Sequence, residues 1–273
     1  MRVGGDATSG VSGKSLTLIE HLVELRHRLL VSLASVAVVS IGAFLARDQL
    51  IHFLAGPYCS QPVAHRLTGP EGSCTLVVTG VLDGFSIAVR LSLYTGLIVS
   101  SPVWLWQIWR FVTPGMHRNE RRTAVGFTAS VILMFSTGAV VAFVTLGKGL
   151  QFLLGVVGDS VIPLLTVNRY FAFLFAMVLV FGLAFEFPVL LLLLNRVGVL
   201  PAAKLRSWRR QAIFGVFLFA AVATPSQDPF TMSALAVPMC LFYELAVVLA
   251  RVHDRRVSRR RAVEDATFGF GLT

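Results

Sequence analysis

The sequence predicts an all-α membrane protein with six transmembrane helices and both termini in the cytoplasm, and three observations support this class. Hydrophobic residues make up 55% of the 273 positions, and charged residues only 14%. The mean hydropathy of +0.76 lies far above that of ordinary water-soluble domains. Apolar runs long enough to cross a hydrocarbon core recur along the chain, and the basic residues are concentrated in alternate connections between them.

The predicted spans follow the apolar runs, because each run can satisfy its backbone polar groups internally as a helix. They cover residues 29–46, 87–111 with an interruption at Pro102, 123–146, 170–194, 212–223 and 230–250. The fifth run offers about 18 Å of helix against a hydrocarbon thickness of about 30 Å. We expect local thinning of the bilayer or shielding by neighbouring helices there, unless the helix extends beyond the run.

The distribution of arginine and lysine predicts the orientation. The segment before the first span, the second-to-third and fourth-to-fifth connections and the C-terminal segment are rich in these residues, which places them in the cytoplasm. We divide the chain into a flexible N-terminal tail at 1–15, a membrane domain at 16–250 and a basic cytoplasmic tail at 251–273. The net charge of +10 is explained by this pattern, so nucleic acid is not an expected partner.

An amphipathic cytoplasmic helix is predicted immediately before the first span. Thr17 and Glu20 have the spacing of a capping box, and leucines recur at helical spacing over 18–29. Glu24 and Arg28 are spaced to form an ion pair along the surface of this helix. The pattern alone favours an interfacial anchor over a recognition surface.

Five sequence blocks occur in a fixed order between residue 21 and about residue 250. They are HLVELRHRL from residue 21, SPVWLWQIWRFVTPGMHRNERR from 101, FGLAFEFPVLLLL from 181, TPSQDP from 224 and LAVPMCLFYE from 235. Together they resemble the TatC family, the multispanning subunit of the twin-arginine protein translocase. The resemblance implies binding of twin-arginine signal peptides, and export of folded proteins across the bacterial inner membrane with TatA- and TatB-type single-span subunits. It also implies use of the proton-motive force, and we expect self-association.

The resemblance places the signal-peptide site on Glu24, Glu120 and Phe111. Two carboxylates suit a pair of arginines, because each planar guanidinium can donate two charge-assisted hydrogen bonds to a carboxylate. Phe111 would contact the apolar stretch of the signal peptide. The alternatives are a local salt bridge for the carboxylates and, for Phe111, an interfacial anchor together with the nearby tryptophans.

Further positions match the family without a direct binding role. Arg26, Arg121 and Arg122 would repel incoming arginines unless they orient the two carboxylates, so we assign them a supporting role. Pro57 is expected to shape the first external loop, since proline restricts its own backbone and that of its neighbour. Asp228, in the last external turn, is expected to cap the sixth helix.

Glu186 lies inside the predicted fourth span. An ionised carboxylate there costs about 2.5 to 3.5 kcal/mol, so it should face protein or water. Gln107 and Glu244 are candidate partners within the bundle. Functionally, Glu186 and Gln107 are predicted to contact a polar residue of a partner helix; structurally, Glu186 could instead hold the bundle together.

Cys59 and Cys74 are predicted to form a disulfide in the first external loop, because external loops face an oxidising compartment. Chain-entropy reasoning indicates that such a bond stabilises the fold by about 3 kcal/mol.

Histidines do not cluster with these cysteines, so no metal site is expected. No cofactor is expected, and no nucleophile and base occur together at membrane depth, which disfavours an enzyme. The main alternative is a proton-coupled secondary transporter of a small solute, although the two halves show no convincing repeat.

Overall fold

The computed structural model describes residues 18–61, 77–112, 121–156, 165–226 and 228–269. Within these ranges the chain is helical apart from short connections and one isolated parallel bridge between Val77 and Thr166. The helices are α1 (Leu18–Leu45), α2 (Arg47–Cys59), α3 (Asp83–Val99), α4 (Ser101–Val112), α5 (Arg121–Val156), α6 (Val167–Ala184), α7 (Phe187–Arg196), α8 (Ala202–Ser207), α9 (Arg209–Ala223) and α10 (Pro229–Gly269).

Among the described residues, four helical stretches are long and apolar enough to cross a membrane. They are Leu22–Leu45, Gly126–Val156, Val167–Arg196 and Pro229–Arg259. A further candidate is the bent pair of α3 and α4, whose axes differ by 53°. The chain is therefore a multispan helical membrane protein. The predicted amphipathic start of α1 depends on Thr17 and Glu20, which lie outside the residues whose side chains are described.

Two of these candidate spans, the α3–α4 pair and the α6–α7 stretch, are interrupted next to a proline. Pro102 and Pro188 each occupy the second position of a helix, where a missing backbone N–H is tolerated, but neither allows the preceding helix to continue without interruption. At the first break, the indole Nε1 of Trp104 donates to the carbonyl of Leu97 at 2.8 Å. This bond occupies a carbonyl at the break that would otherwise be left without a partner in an apolar environment.

α9 begins at Arg209, before the predicted start at Ala212, and contains 15 residues. The added residues are Arg209, Arg210 and Gln211, so the apolar length is unchanged. At 1.5 Å per residue the whole helix is about 22 Å long, still below the hydrocarbon thickness. The fifth helix is therefore short in the structure as well as in the sequence prediction.

The connection between α1 and α3 contains a helix that hydrophobic run length did not predict. In α2, Leu54 and Tyr58 are buried one turn apart, and the Tyr170 hydroxyl of α6 donates to the carbonyl of Leu54 at 2.6 Å. Pro57 was expected in a loop but lies inside α2, where its carbonyl accepts a hydrogen bond from Gln61 Nε2 at 3.2 Å. The same Gln61 nitrogen donates to the carbonyl of Gly147 at 2.9 Å, which joins the end of α2 to α5.

The main core lies where α5, α6 and α10 pack together. Tyr170, Phe181 and Leu235 are fully buried there. α1 packs on α3 and α4, and α10 packs on α7, α8 and α9. The helices that carry the predicted site residues are therefore held by neighbours on at least one side.

Candidate functional site

A polar network joins α1 to α4 near the start of the first span. Arg28 Nε donates to Glu24 Oε1 at 3.1 Å, and Arg28 Nη2 contacts the same oxygen, so the predicted ion pair is confirmed. Arg28 Nη1 also donates to Gln107 Oε1 on α4 at 3.4 Å. The Arg28 side chain is 12% exposed and the Glu24 side chain 33% exposed. The network therefore holds a partly accessible carboxylate in a fixed place beside α4.

Phe111 is half-buried near the end of α4, one helical turn beyond Gln107. Residues four apart share a face of a helix. Phe111 therefore lies on the side of α4 that faces the network of Glu24 and Arg28. This places an aromatic ring and a carboxylate at the same end of the α1–α4 pair.

The structure locates the other predicted site residues only in part. Glu120 lies outside the described residues, and the side chains of Arg121 and Arg122, which begin α5, are likewise not described. Arg26 is exposed on α1. Arg28, four residues from Glu24 on the same helix face, contacts its carboxylate. The supporting role of Arg26, Arg121 and Arg122 stays a prediction.

Glu186 lies at the break between α6 and α7 and is 9% exposed. It lines a cavity of about 610 Å³ between α4, the α6–α7 break, α9 and α10, whose other walls are apolar and include Trp109, Phe219 and Met239. Neither carboxylate oxygen forms a hydrogen bond with a described residue. A buried carboxylate without a partner, facing a cavity, is a candidate contact for a polar group from outside the chain.

The two partners expected for Glu186 are engaged elsewhere. Gln107 accepts from Arg28 of α1, as described above. Glu244 pairs with Arg209 at the start of α9, and Arg209 Nε donates to Glu244 Oε1 at 2.6 Å. The expectation of an internal partner for Glu186 is wrong for both residues, because each lies beside a guanidinium that offers a stronger, charge-assisted hydrogen bond.

The α7–α9 connection is tied to α10, including the part of α10 beyond residue 250. The Tyr243 hydroxyl donates to the carbonyl of Leu205 at 2.6 Å. Asp254 accepts from the backbone N–H of Ala202 at 2.8 Å and from Asn195 Nδ2 at 3.1 Å. The basic C-terminal region is thus helical as far as Gly269 and is anchored by Asp254.

Asp228 caps α10, as the sequence predicts. Its Oδ1 accepts from the backbone N–H of Thr231 at 2.8 Å, and its Oδ2 accepts from the Thr231 hydroxyl at 2.5 Å. Burial raises the pKa of the Asp228 carboxyl, but hydrogen bonds from Ser226, Thr231 and the backbone outweigh burial and hold that pKa below its ordinary value of 3.8. The ionised carboxylate is therefore stabilised by folding.

Asp228→Ala is expected to lower the free energy of unfolding by about 1 kcal/mol at neutral pH, because the cap is lost. Since the folded-state pKa is depressed, this contribution is complete above the ordinary pKa and disappears as the pH falls through the folded-state value. Thermal unfolding of the detergent-solubilised protein measures it. Asp48→Ala is the control, since the Asp48 side chain is 86% exposed. The prediction would be contradicted if the Tm difference between the unaltered chain and Asp228→Ala did not shrink as the pH is lowered from about 6 to about 2.

The cysteines are placed as follows. Cys59, at the end of α2, is disulfide-bonded, and Cys240 in α10 is free. Cys74 lies outside the described residues, so its pairing with Cys59 stays a prediction.

Together these features define a multispan helical membrane protein with a charged network at one end and, inside a candidate span, a carboxylate that forms no hydrogen bond with the described residues. The chain belongs to the TatC family, since the family model described as "Sec-independent protein translocase protein (TatC)" matches residues 20–238. It is a membrane subunit of Sec-independent, twin-arginine protein export in bacteria, and a transport protein and not an enzyme.

Individual relatives agree with this family. The chain is 46% identical to a Sec-independent protein translocase protein TatC of Frankia casuarinae, over 93% of this chain and 70% of that protein. It is 32% identical to the TatC of Aquifex aeolicus, over 88% of this chain and 97% of that protein. A crystal structure of a twin-arginine translocase receptor TatC superposes with a TM-score of 0.70 at 32% identity, covering 85% of this chain and 99% of that one.

Proposed function

We propose that this chain binds the twin-arginine signal peptides of folded precursors at the end of α1 and α4 that carries Glu24. Glu120 would supply the second carboxylate, and Phe111 would contact the apolar stretch that follows the arginines. The observation that carries the proposal is the Glu24 carboxylate, fixed by Arg28 and still partly exposed. TatA- and TatB-type single-span subunits, self-association and the proton-motive force complete the proposed export cycle.

The ion pair with Arg28 is compatible with this role. A carboxylate has about four acceptor sites on its two oxygens, so it can accept from more than one guanidinium. Arg28 donates to Oε1 of Glu24, and its Nη1 also donates to Gln107 Oε1, so the guanidinium is held from two sides. Arg28 therefore orients the Glu24 side chain before the peptide binds, which reduces the conformational entropy that Glu24 loses on binding.

The remaining members of the proposed site are supported by their positions. Phe111 lies on the face of α4 that Arg28 reaches, and Trp109 packs on Phe127 of α5 with ring centroids 5.0 Å apart. This contact holds α4 against α5, whose first residue follows Glu120 in the sequence. The test is crosslinking of a twin-arginine signal peptide to a photoreactive residue at position 111, in chains with and without the two carboxylates.

We further propose six crossings, with both termini in the cytoplasm and α9 as the fifth. The alternation of basic connections supports this orientation. α9 presents large apolar side chains outward, including Phe214, Leu218 and Val222, as a lipid-facing helix would. Because α9 is only about 22 Å long, the proposal requires a locally thinner bilayer.

Spin labels at Gln211 and Pro225, which are exposed at the two ends of α9, are expected to report contact with water in a reconstituted bilayer. A label at Phe217, in the middle of the helix, is the control and should report contact with lipid. Accessibility to a water-soluble relaxation agent measures this. If either end label were buried in lipid as deeply as the control, local thinning at α9 would be ruled out.

The cavity at Glu186 is the proposed contact for a polar side chain of a partner's transmembrane helix. Its apolar walls suit a helix, and its one carboxylate without a described partner could exchange hydrogen bonds with a polar residue. Gln107 stays proposed as a second contact, on the same helix α4 that supplies Trp109 to the cavity wall. It would have to leave Arg28 to serve that role.

A photoreactive residue at Leu183, in the cavity wall, is expected to crosslink to a single-span subunit in membranes that contain the whole translocase. Glu186→Ala should lower the yield severalfold, and Glu186→Gln, which keeps a hydrogen-bonding group, should lower it less. Leu133 on α5 is the control position, because it is similarly exposed, at 61% against 53% for Leu183, but does not line the cavity. Equal yields from positions 183 and 133 would contradict the proposal.

A further inference from the structure

α3 and α6 form a narrow cleft of about 30 Å³ near the point where both helices begin. Its α3 wall includes Arg90, Leu91 and Tyr94, and its α6 wall includes Asn168, Phe171 and Phe175. The helix starts are held together by the bridge between Val77 and Thr166, where Val167 N donates to the carbonyl of Val77 at 3.1 Å. The cleft is thus part of a fixed arrangement of two helices.

The end of the cleft nearest the helix starts is cationic. Arg90 is exposed, and its Nη1 donates to Asn168 Oδ1 at 3.2 Å. Within the described ranges, no carboxylate pairs with Arg90. A guanidinium has five N–H donors, so most remain available. Because Oδ1 accepts from Arg90, the Asn168 amide nitrogen is the other donor at this end.

Arg90 lies near the edge of the apolar part of α3. Arg90 lies about 10 Å along α3 from its first residue, close to the predicted boundary of the apolar span. A cation at this depth is costly unless it reaches the headgroup region or finds an anion. Arg169, the next residue after Asn168, is also exposed and adds positive charge to the same edge of the bundle.

Deeper along the helices the cleft becomes aromatic. Tyr94 stacks on Phe175 with ring centroids 4.9 Å apart, and Phe171 lies 6.3 Å from Phe175. The cleft therefore has two donors at its outer end and a continuous apolar surface further in. This order of polar and apolar groups matches an amphiphile whose anionic headgroup precedes a hydrocarbon chain.

We propose that this cleft binds a glycerophospholipid. Its phosphate would accept hydrogen bonds from Arg90 and Asn168, and one acyl chain would lie against Tyr94, Phe171 and Phe175. Phosphate and guanidinium form charge-assisted, two-pronged hydrogen bonds, which suits an arginine that pairs with no carboxylate of the described residues. The extra charge of Arg169 favours an anionic lipid such as phosphatidylglycerol over a zwitterionic one.

Native mass spectrometry of the full chain in detergent, titrated with phosphatidylglycerol, tests the proposal. Arg90→Gln is expected to weaken the tightest lipid-binding step by about tenfold, and Arg90→Lys by less. Arg47→Gln is the matched control: Arg47 is also an exposed arginine near a helix start, but it lies beside Asp48 and over the ring of Phe44. It should leave that step unchanged.

Two further ligands distinguish the parts of the cleft. Diacylglycerol with the same chains lacks the phosphate, and glycerol phosphate lacks the chains, so each should bind at least tenfold more weakly. If either ligand bound as tightly as phosphatidylglycerol, the proposal would be overturned. Equal weakening of phosphatidylglycerol binding by Arg90→Gln and Arg47→Gln would also overturn it. If Arg90→Gln fails to fold, Asn168→Leu removes the second donor and should weaken binding severalfold; unchanged binding there would also overturn it.

Discussion

Glu24→Gln and Glu120→Gln are each expected to weaken the binding of a twin-arginine signal peptide by about 10- to 100-fold. Each substitution removes a charge-assisted hydrogen-bonded pair, which contributes about 1.5 to 3 kcal/mol. Export of a folded reporter that carries such a signal should fall to background when both carboxylates are removed. The measurements are export of the reporter and crosslinking of the signal peptide to a photoreactive residue at position 111.

Glutamine is preferred to alanine at position 24 because it keeps the length of the side chain beside Arg28. Asp48→Asn is the control, since it removes a highly exposed acid on α2. A signal with two lysines in place of the arginines should bind the unaltered chain more weakly, because lysine cannot make the two-pronged contact. If the glutamine variants kept full crosslinking and export, the proposed site would be wrong even though the family assignment would stand.

Gly138→Leu is expected to destabilise the folded protein strongly. A Cβ at Gly138 would lie 2.6 Å from the carbonyl oxygen of Phe181 and 2.9 Å from its carbon. These are backbone atoms of α6, so the obstacle cannot rotate away and α5 and α6 must separate. Overpacking in a core costs about 1 to 3 kcal/mol or more, a large part of a typical stability of 5 to 15 kcal/mol.

The amount of protein in the membrane and the Tm in detergent measure this effect. Gly155→Leu is the matched control, because Gly155 lies on the same helix and has no atom within 4 Å of an added Cβ. Gly138→Ala should be destabilising to a smaller extent. Equal Tm values for Gly138→Leu and Gly155→Leu would show that the close approach of α5 and α6 does not limit stability.

Features that depend on neighbouring positions in the sequence were predictable. Glu24 and Arg28 meet because residues four apart share a helix face, and Asp228 caps α10 because an N-cap reaches the N–H three residues ahead. The apolar runs became helices for a similar reason, since lipid forces each segment to satisfy its own backbone. α2 was missed because it is short and lies outside the apolar runs, although Leu54 and Tyr58 have helical spacing.

Contacts between distant segments were not predictable, and they decide the candidate sites. Arg28 and Gln107 are 79 residues apart, and Arg209 and Glu244 are 35 apart. Local spacing contains no information on which of several polar side chains will meet across a helix interface. For Glu186, the sequence indicated two partners, and packing assigned both of them to arginines.

By itself, the sequence determined the helical multispan class and the family, because hydrophobicity and motif order are properties of the chain read along its length. The tertiary structure alone decided that the Glu24 carboxylate is held against α4, that Glu186 faces a cavity and that Arg90 lies beside Asn168. These juxtapositions arise from how whole helices pack, which depends on the shapes of many side chains at once.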